Sequence, residues 1–278
     1  MIDVAGAVRH YQEHGWARVG RVGDEATMAA LRDRIDAIMM GEIVYDGVFF
    51  QRDTTTGRYE DLSYGKGWEG PSLNYRKVEK LEKDPLFRAW IEHDTFRAIC
   101  EEVYHAPISI YRALVFNKAA ETGGSDLPWH QDGGTFWGLD REPVLQIWTA
   151  LDDAPVGGGC LEVWSGSHAK GLVTPLGGVV PADHVAAQHP EDKSVMLPAE
   201  AGDVILVHNH VWHRSGRSAI GKPRRALTVC YMDAATKCLR KKRAPRSFVR
   251  VFERPYTEGD APSHPGHPHD RRGVPGGG

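Results

Sequence analysis

Short segments of β-branched and aromatic residues, separated by turn residues, fill most of the chain after Pro107. No long helical pattern lies between these segments, which argues against a parallel sheet with crossover helices. Glycine, proline and aspartate between them are typical of tight turns. The pattern therefore predicts an antiparallel sandwich or barrel. The segments are 108–116, 144–151, 159–164, 194–197, 204–207 and 226–231.

Two stretches before this β-rich region are typical of helices. Residues 1–43 are predicted to be helical, because apolar residues recur at helical spacing after Asp24, a residue type that favours the helix N-cap. Asp84 followed by Pro85 marks a further helix start, since proline is favoured in the first turn.

We therefore interpret residues 1–257 as one domain, with helical support in 1–106 and a β-rich core in 107–257. The glycine-rich segment 44–78 within the support is either a surface loop or a lid over a site. Residues 258–278 are rich in proline, glycine and histidine, so we expect them to be disordered.

Composition and charge exclude several classes of function. The chain has 278 residues and a formal net charge of −3, so we expect no general attraction to nucleic acid or to anionic membranes. No apolar run approaches the length needed to cross a bilayer, and the start lacks the apolar core of a secretory signal. Four widely spaced cysteines without zinc-finger spacing fit free thiols, and hence a cytoplasmic protein.

A His-X-Asp pair at 130–132 is the main candidate for chemistry. Side chains two residues apart on a strand point to the same side, so His130 and Asp132 can face one point. Two histidines and one carboxylate form the facial ligand set of non-haem Fe(II) oxygenases, so a second histidine is needed. His208, His210 and His213 are the candidates for it.

Two arginines follow these histidines. Arg224 and Arg225 stand 11 and 12 residues after His213, directly before the predicted segment 226–231. Oxygenases with this ligand set use a keto acid whose distal carboxylate needs a cation, and a guanidinium can bind both of its oxygens. Because side chains alternate along a strand, only one of the two arginines is expected to point inward.

Several separate blocks of the chain, in one order, carry a family resemblance. They are 11–16, 127–133, 146–152, 158–163, 165–168 and 202–224. With them the chain resembles the phytanoyl-CoA dioxygenase family of Fe(II)/2-oxoglutarate-dependent oxygenases. The resemblance covers most of the chain. It implies a mainly β protein with a helical N-terminal third and a double-stranded β-helix (jelly-roll, cupin-like) core.

The resemblance also implies which residues hold the metal. His130, Asp132 and His213 would ligate Fe(II). The family pattern, with a serine two residues after the histidine, favours His213 over His208 and His210.

The resemblance likewise implies a site for 2-oxoglutarate. Arg224 would bind its distal carboxylate, with the Ser215 hydroxyl beside it. Trp148 matches a tryptophan that lines this pocket in the family, and Lys118 matches a lysine on the strand before the His-X-Asp turn. The Pro-Pro-Gly that follows this lysine in the family is replaced here at 119–121 by Ala-Ala-Glu.

The implied activity is hydroxylation of an unactivated C–H bond in a small metabolite, with O2 consumed and 2-oxoglutarate converted to succinate and CO2. Halogenases that resemble this pattern carry a small residue at the position of Asp132, so hydroxylation is favoured over chlorination. Desaturation, cyclisation or epimerisation by the same iron centre is one alternative. Another is a non-catalytic jelly roll that holds structural zinc, but such a site has no use for the carboxylate clamp of Arg224 and Ser215.

The sequence says less about the substrate. Residues 214–254 contain 13 Lys or Arg and two acidic residues. This basic segment fits an anionic substrate or carrier, an oligomer interface, or a solvated strand edge, and the oligomeric state stays open. If 44–78 is a lid, the expected substrate contacts are Asn74, Tyr75 and Arg76 together with Trp137 and Asn209.

Overall fold

The computed structural model describes residues 2–240 and 246–253, so the predicted disordered segment 258–278 lies outside the described residues. The described helices are α1 (Val4–His14), α2 (Glu25–Met40), α3 (Pro85–Ile91), α4 (Asp94–Tyr104) and α5 (Ala182–Gln188). The described strands are β1 (Trp16–Arg21), β2 (Phe49–Arg52), β3 (Tyr75–Glu79), β4 (Ile108–Lys118), β5 (Leu127–Gln131), β6 (Leu145–Ala150), β7 (Leu161–Trp164), β8 (Gly178–Val179), β9 (Ser194–Leu197), β10 (Asp203–His208), β11 (Trp212–Ser215), β12 (Arg224–Asp233) and β13 (Val249–Phe252).

The strands form two antiparallel sheets. The larger sheet has the order β1-β10-β6-β12-β4-β3-β2, with β13 also paired to β4, and the smaller has the order β8-β5-β11-β7-β9. Apolar side chains from both sheets, such as Trp148 and Ile205 from the larger and Val163 from the smaller, pack together between them. The prediction of a mainly β protein with a jelly-roll core is confirmed.

Helices cover the outer face of the larger sheet. Their apolar sides form one core with residues of β4, β6, β10 and β12. The predicted helix starts lie where expected. The Asp24 carboxylate accepts a hydrogen bond from the Thr27 N–H at the start of α2, and the Asp84 carboxylate accepts from the first N–H groups of α3. Among the described residues, no helix is both long and apolar enough to cross a membrane.

The N-terminal third also contributes strands, which corrects the prediction of helix throughout residues 1–43. β1 pairs with β10, with Trp16 opposite Val207, and so extends the larger sheet. The conformation of such a short segment depends on its partner strand more than on its own residues. The segment 44–78 is likewise partly sheet, because it contains β2 and the start of β3, and β3 pairs with β4.

Candidate metal centre and co-substrate pocket

Two neighbouring strands of the smaller sheet bring the predicted metal ligands together. His130 on β5 lies opposite His213 on β11, and Asp132 follows β5 directly. The two imidazole centroids are 3.9 Å apart, and His213 Nε2 lies 3.7 Å from Asp132 Oδ2. Possible ligand atoms of all three residues lie within 4.8 Å of one another, so this group is able to hold a metal ion.

Backbone carbonyls orient both imidazoles. His130 Nδ1 donates to the carbonyl of Pro128, and His213 Nδ1 donates to that of Val211, each at 2.9 Å. Because a carbonyl only accepts, the proton is on Nδ1, and Nε2 remains as the nitrogen available to a metal. Burial, helped by the charge of His213, lowers the pKa of His130 to about 3, so the imidazole is neutral, as ligation requires.

The Asp132 carboxylate is held at both oxygens. Arg112 Nη2 donates to Oδ1 at 3.0 Å, and Gln146 Nε2 donates to Oδ2 at 2.5 Å. The Asp132 N–H donates to the carbonyl of Asn209 at 2.8 Å, which fixes the backbone. Burial by itself would raise the pKa of Asp132, but the charge of Arg112, with smaller contributions from the neighbouring imidazoles and the Gln146 hydrogen bond, lowers it to about 2. The carboxylate is therefore ionised at neutral pH.

The other two candidate histidines belong to a different cluster. The His208 ring lies 4.9 Å from that of His168 and 5.3 Å from that of His210. The group of possible metal ligands in the described part of the chain contains His213 and neither His208 nor His210.

A cavity between the sheets contains the metal ligands and every residue predicted to contact 2-oxoglutarate. Arg224, at the start of β12, lies opposite Lys118 on β4. Arg225 points away from the cavity and forms ion pairs with Asp152 and Asp36, as strand alternation requires for one of the two arginines. The cavity lining includes His130, Asp132, His213, Lys118, Trp148, Ser215, Arg224, Arg76, Ser125 and Thr228.

Several polar groups in this cavity lack partners. Arg224 is 3% exposed, and its Nε has no hydrogen-bond partner among the described residues; the same holds for the hydroxyls of Ser125 and Thr228. Burial lowers the pKa of Arg224 to about 10, so the guanidinium is still charged at neutral pH. Because unpaired buried groups are costly, a bound carboxylate would satisfy them. The cavity therefore fits the distal end of a keto acid.

Lys118 adds a second cation at this end of the cavity. Its ammonium donates to the carbonyl of Ser125 at 2.6 Å. Burial, with the nearby charge of Arg224, lowers the pKa of Lys118 well below its ordinary value. A bound anion would act in the opposite direction and favour the charged ammonium.

Of the three substrate contacts expected in the segment 44–78, only Arg76 lines the cavity. Its guanidinium lies 5.3 Å from the centre of the Phe116 ring. Tyr75 points to the opposite side, into the helix-covered core, and its hydroxyl is bonded to the Glu69 N–H and the Gly70 carbonyl. The reason is the alternation of neighbouring strand residues. Asn74 is also outside the cavity lining, and its amide oxygen accepts from the Thr122 hydroxyl.

Trp137 and Asn209 lie beside Asp132 without lining the cavity. The Trp137 ring stacks on Tyr111, and the Arg112 guanidinium lies 4.7 Å from the centre of that ring. Asn209 supports Asp132 through its backbone carbonyl. Both residues therefore support the site from behind and do not face the space that a substrate would enter.

Arg112 and Gln146 were not predicted as site residues, although both hold Asp132. Each is a polar residue within a strand that is otherwise almost fully buried. A buried polar side chain in such a strand needs a partner, which is the signal that would have identified them.

Several described arginines of the basic segment 214–254 make separate local contacts. Arg214 pairs with Glu162 and Glu191, and Arg217 donates to the carbonyl of Gly124. Arg246 donates to the carbonyl of Tyr111 at 2.9 Å. Residues 241–245 and 254 lie outside the described residues. The described arginines therefore mainly tie loops to the two sheets.

Known proteins with related sequences identify the family of this chain. The sequence profile of the phytanoyl-CoA dioxygenase (PhyH) family matches residues 11–226. Phytanoyl-CoA dioxygenase domain-containing protein 1 of Bos taurus is 29% identical over 160 residues, which are 55% of this chain and 54% of that protein. The match thus spans about half the length of that relative. Phytanoyl-CoA dioxygenase of Arabidopsis thaliana is 27% identical over 248 residues, which are 81% of this chain and 87% of that protein.

Solved structures share the fold at lower identity. EctD from S. alaskensis with 2-oxoglutarate and 5-hydroxyectoine has a TM-score of 0.67 at 16% identity, covering 91% of this chain and 85% of that one. The epimerase SnoN in complex with Fe3+, alpha ketoglutarate and nogalamycin RO has a TM-score of 0.63 at 19% identity, covering 87% and 88%.

The family match and the geometry of the candidate metal ligands support the same family and the same cofactors. The profile covers most of the chain, and the group of His130, Asp132 and His213 is able to hold iron. The predicted cofactors, iron and 2-oxoglutarate, are confirmed by this agreement. The chain belongs to the phytanoyl-CoA dioxygenase family.

Proposed function

We propose that this protein is an Fe(II)/2-oxoglutarate-dependent oxygenase that hydroxylates an unactivated C–H bond of a small metabolite. One observation carries the proposal. The cavity that contains His130, Asp132 and His213 also contains the buried guanidinium of Arg224, which forms no ion pair with any described residue. A structural zinc site would be closed by protein ligands and would not need this cation.

The metal ligands and the 2-oxoglutarate contacts would have separate roles. His130, Asp132 and His213 would hold iron from one side and leave positions open for other ligands. Arg224 and Ser215 would orient 2-oxoglutarate through its distal carboxylate. When bound, iron and 2-oxoglutarate supply the oxidation: one oxygen atom of O2 enters the substrate, and the other leaves in succinate, with release of CO2.

Apolar walls would keep water away from the reaction. Trp148 from the larger sheet, Leu161 from the smaller and Val207 from β10 are buried and line the same cavity. Excluding water strengthens the electrostatic contacts inside a site and limits side reactions. This arrangement favours oxidation of the substrate over release of reactive species into solvent.

We also propose that the substrate carries an acidic group. Arg76 lines the cavity in addition to Arg224 and Lys118 of the 2-oxoglutarate end, and it forms no ion pair with a described residue. Buried cations favour anionic ligands because an anion replaces the lost hydration. The four free thiols, three of them buried, fit a reducing compartment, and we propose the cytoplasm.

An anaerobic absorption titration tests the proposed centre. Apoprotein receives Fe(II) and then 2-oxoglutarate, in the wild type and in the variants Asp132→Ala and Arg224→Ala. We expect a weak visible charge-transfer band that requires both additions, is weakened in Asp132→Ala, and needs at least about tenfold more 2-oxoglutarate in Arg224→Ala. Arg141→Met is the matched control, since Arg141 is half exposed and pairs with Asp233.

Two outcomes would contradict the proposal. One is the absence of a band in the wild type, with zinc retained tightly instead, which would favour a structural metal site. The other is a band that forms in Arg224→Ala at the same 2-oxoglutarate concentration as in the wild type, which would show that Arg224 does not bind the distal carboxylate.

Product analysis separates hydroxylation from other outcomes of the same centre. Candidate metabolites are screened by succinate release, and the product is then formed under 18O2. Hydroxylation predicts one labelled oxygen in the product. A product without added oxygen would instead indicate desaturation, cyclisation or epimerisation.

A further inference from the structure

A β-bulge changes the direction of two side chains next to the metal centre. Along the pairing of β12 with β4, Cys230 lies opposite Arg112 and Tyr231 lies opposite Ile110, which leaves Tyr111 as the extra residue. Bulges commonly redirect side chains next to active sites. Here Tyr111 is buried in a small cluster with Trp137 and Cys230, while the neighbouring Arg112 reaches Asp132.

Four side chains form a continuous stack that ends at the metal ligand. The Arg246 guanidinium lies 4.8 Å from the centre of the Tyr111 ring. The Tyr111 and Trp137 rings are stacked at 4.2 Å with an interplanar angle of 10°. Arg112 lies 4.7 Å from the centre of the Trp137 ring and donates to Asp132 Oδ1 at 3.0 Å. Cation–π contacts and stacking thus restrict Arg112 from the side away from the carboxylate.

The two oxygens of Asp132 have different surroundings. Oδ1 accepts from Arg112, whereas Oδ2 accepts from Gln146 and lies 3.7 Å from His213 Nε2. The Arg112 donor on Oδ1, together with Gln146 on Oδ2, restricts rotation of the carboxylate and keeps Oδ2 beside His213 Nε2. Replacing a group that holds a metal ligand in this way typically lowers metal affinity about 10- to 100-fold.

We infer that Arg112, held by the stack of Trp137, Tyr111 and Arg246, is a positioning residue that keeps Asp132 Oδ2 directed at the metal. The inference rests on the proposed function, because it needs a metal at His130, Asp132 and His213. It also gives Trp137 a role in metal binding instead of the substrate contact predicted from sequence. Arg246 connects the basic segment 214–254 to the same role.

Co(II) binding to the apoprotein tests this inference without catalysis. Affinity is measured by competition with a chelator, and the visible spectrum of the Co(II) complex reports the number and type of ligands. We expect Arg112→Met to weaken Co(II) binding about tenfold or more and to change the spectrum. Trp137→Leu, which leaves Arg112 and Asp132 in place, should weaken binding by about two- to fivefold in the same direction.

Two further variants separate positioning from stability. Arg112→Lys retains the charge but lacks the planar fork, so it should recover only part of the affinity. Arg141→Met removes a half-exposed arginine and should leave affinity and spectrum as in the wild type. Thermal unfolding of each variant shows whether it is folded. If Arg112→Met does not fold, the Trp137→Leu result decides: an unchanged affinity and spectrum overturn the inference.

The outcomes also distinguish this inference from the proposed function. The proposed metal centre would be overturned if the wild-type protein bound no Co(II). It would also be overturned if the His213→Ala variant bound Co(II) as tightly as the wild type. Co(II) binding that is lost in His213→Ala but has wild-type affinity and spectrum in Arg112→Met would overturn only the positioning role of Arg112.

Discussion

Gly159 lies where the loop before β7 passes close to the cations of the co-substrate pocket. A Cβ atom at this position would lie 3.0 Å from Lys118 Cδ and 3.2 Å from Arg224 Nε. We expect Gly159→Ala to weaken 2-oxoglutarate binding by at least about fivefold, because overpacking of this size costs about 1–3 kcal/mol and displaces the guanidinium. Calorimetric titration of the Co(II) protein with 2-oxoglutarate measures the change.

A nearby glycine provides the matched control for this prediction. Gly157 has φ +74 and Gly159 has φ +82, so alanine is strained at both positions by about 1–2 kcal/mol. No other atoms lie within 4 Å of a Cβ at Gly157. Gly157→Ala should therefore lower stability to a similar extent and leave 2-oxoglutarate affinity unchanged. Equal losses of affinity in both variants would show that loop strain, and not contact with Arg224, causes the effect.

Single residues were predictable where the governing pattern is local. The His130 and Asp132 pair follows from the two-residue repeat of a strand, and the structure brings the two side chains together. Whether Arg224 or Arg225 points inward depends on strand pairing, which one sequence does not show. A polar Arg112 in a buried strand indicates that it needs a partner, but the bulge opposite Cys230 that directs it depends on pairing with β12, which one sequence does not show.

At the level of whole elements, Arg225 fastens α2 to the larger sheet. Its guanidinium donates to Asp152 at 2.7 and 2.9 Å and to Asp36 on α2 at 2.7 Å. We expect Arg225→Met to lower the free energy of unfolding by about 3 kcal/mol, because the largely buried Asp152 would keep only Arg32, 3.9 Å away, as an ion-pair partner. Urea denaturation followed by circular dichroism measures this loss.

Two comparisons check the origin of that loss. Adding Asp152→Asn to Arg225→Met removes a buried charge that has lost its main partner and should restore part of the stability. Arg141→Met breaks a more exposed pair with Asp233 and should cost less than about 1 kcal/mol. An equal cost for Arg225→Met and Arg141→Met would show that the buried pair does not hold α2 in place.

The elements differed in how well the sequence predicted them. The starts of α2 and α3 were found because a capping carboxylate at Asp24 or Asp84 acts within its own turn. β1 was missed because its conformation depends on pairing with β10, which lies far away in the chain. Pairing with distant strands also explains why the sequence did not predict β2 and the first part of β3 in the segment 44–78.

At the scale of the whole molecule, an antiparallel sandwich or barrel was predictable because many short strands without intervening helices have few ways to bury their apolar faces, and the family resemblance narrowed this to a jelly roll. The strand order was not predictable from the sequence. It places β5 beside β11, which are separated by 80 residues, and β4 beside β12, which are separated by 105 residues. This non-local pairing is what assembles the metal ligands and the carboxylate clamp in one cavity.

A cluster of uncharged histidines makes the stability of the whole fold depend on pH. His208 lies between His168 and His210, and the His210 N–H donates to His208 Nδ1 at 3.0 Å. Burial, then the neighbouring charges of His210 and His168, lowers the pKa of His208 to about 3. Burial also lowers the pKa values of His168 and His210, although Glu142 partly opposes this at His210.

The direction of the pH effect follows from these shifts. In the unfolded chain a histidine has a pKa of about 6.5, so below that pH the unfolded state takes up a proton that folded His208 does not. The free energy of unfolding therefore decreases as the pH falls from 6.5 toward 3. At pH 5 the contribution of His208 alone is about 2 kcal/mol, and above pH 7 it vanishes because both states are neutral.

Replacing His208 by asparagine tests this source of acid sensitivity. The asparagine amide oxygen can still accept from the His210 N–H, but it does not titrate. Between pH 7.5 and pH 5.0, the wild type should lose about 2 kcal/mol more unfolding free energy than His208→Asn, as measured by urea denaturation at both pH values. His184→Asn removes an exposed histidine and should behave like the wild type. If His208→Asn loses as much stability on acidification as the wild type, the acid sensitivity arises elsewhere, and the buried cluster is not its cause.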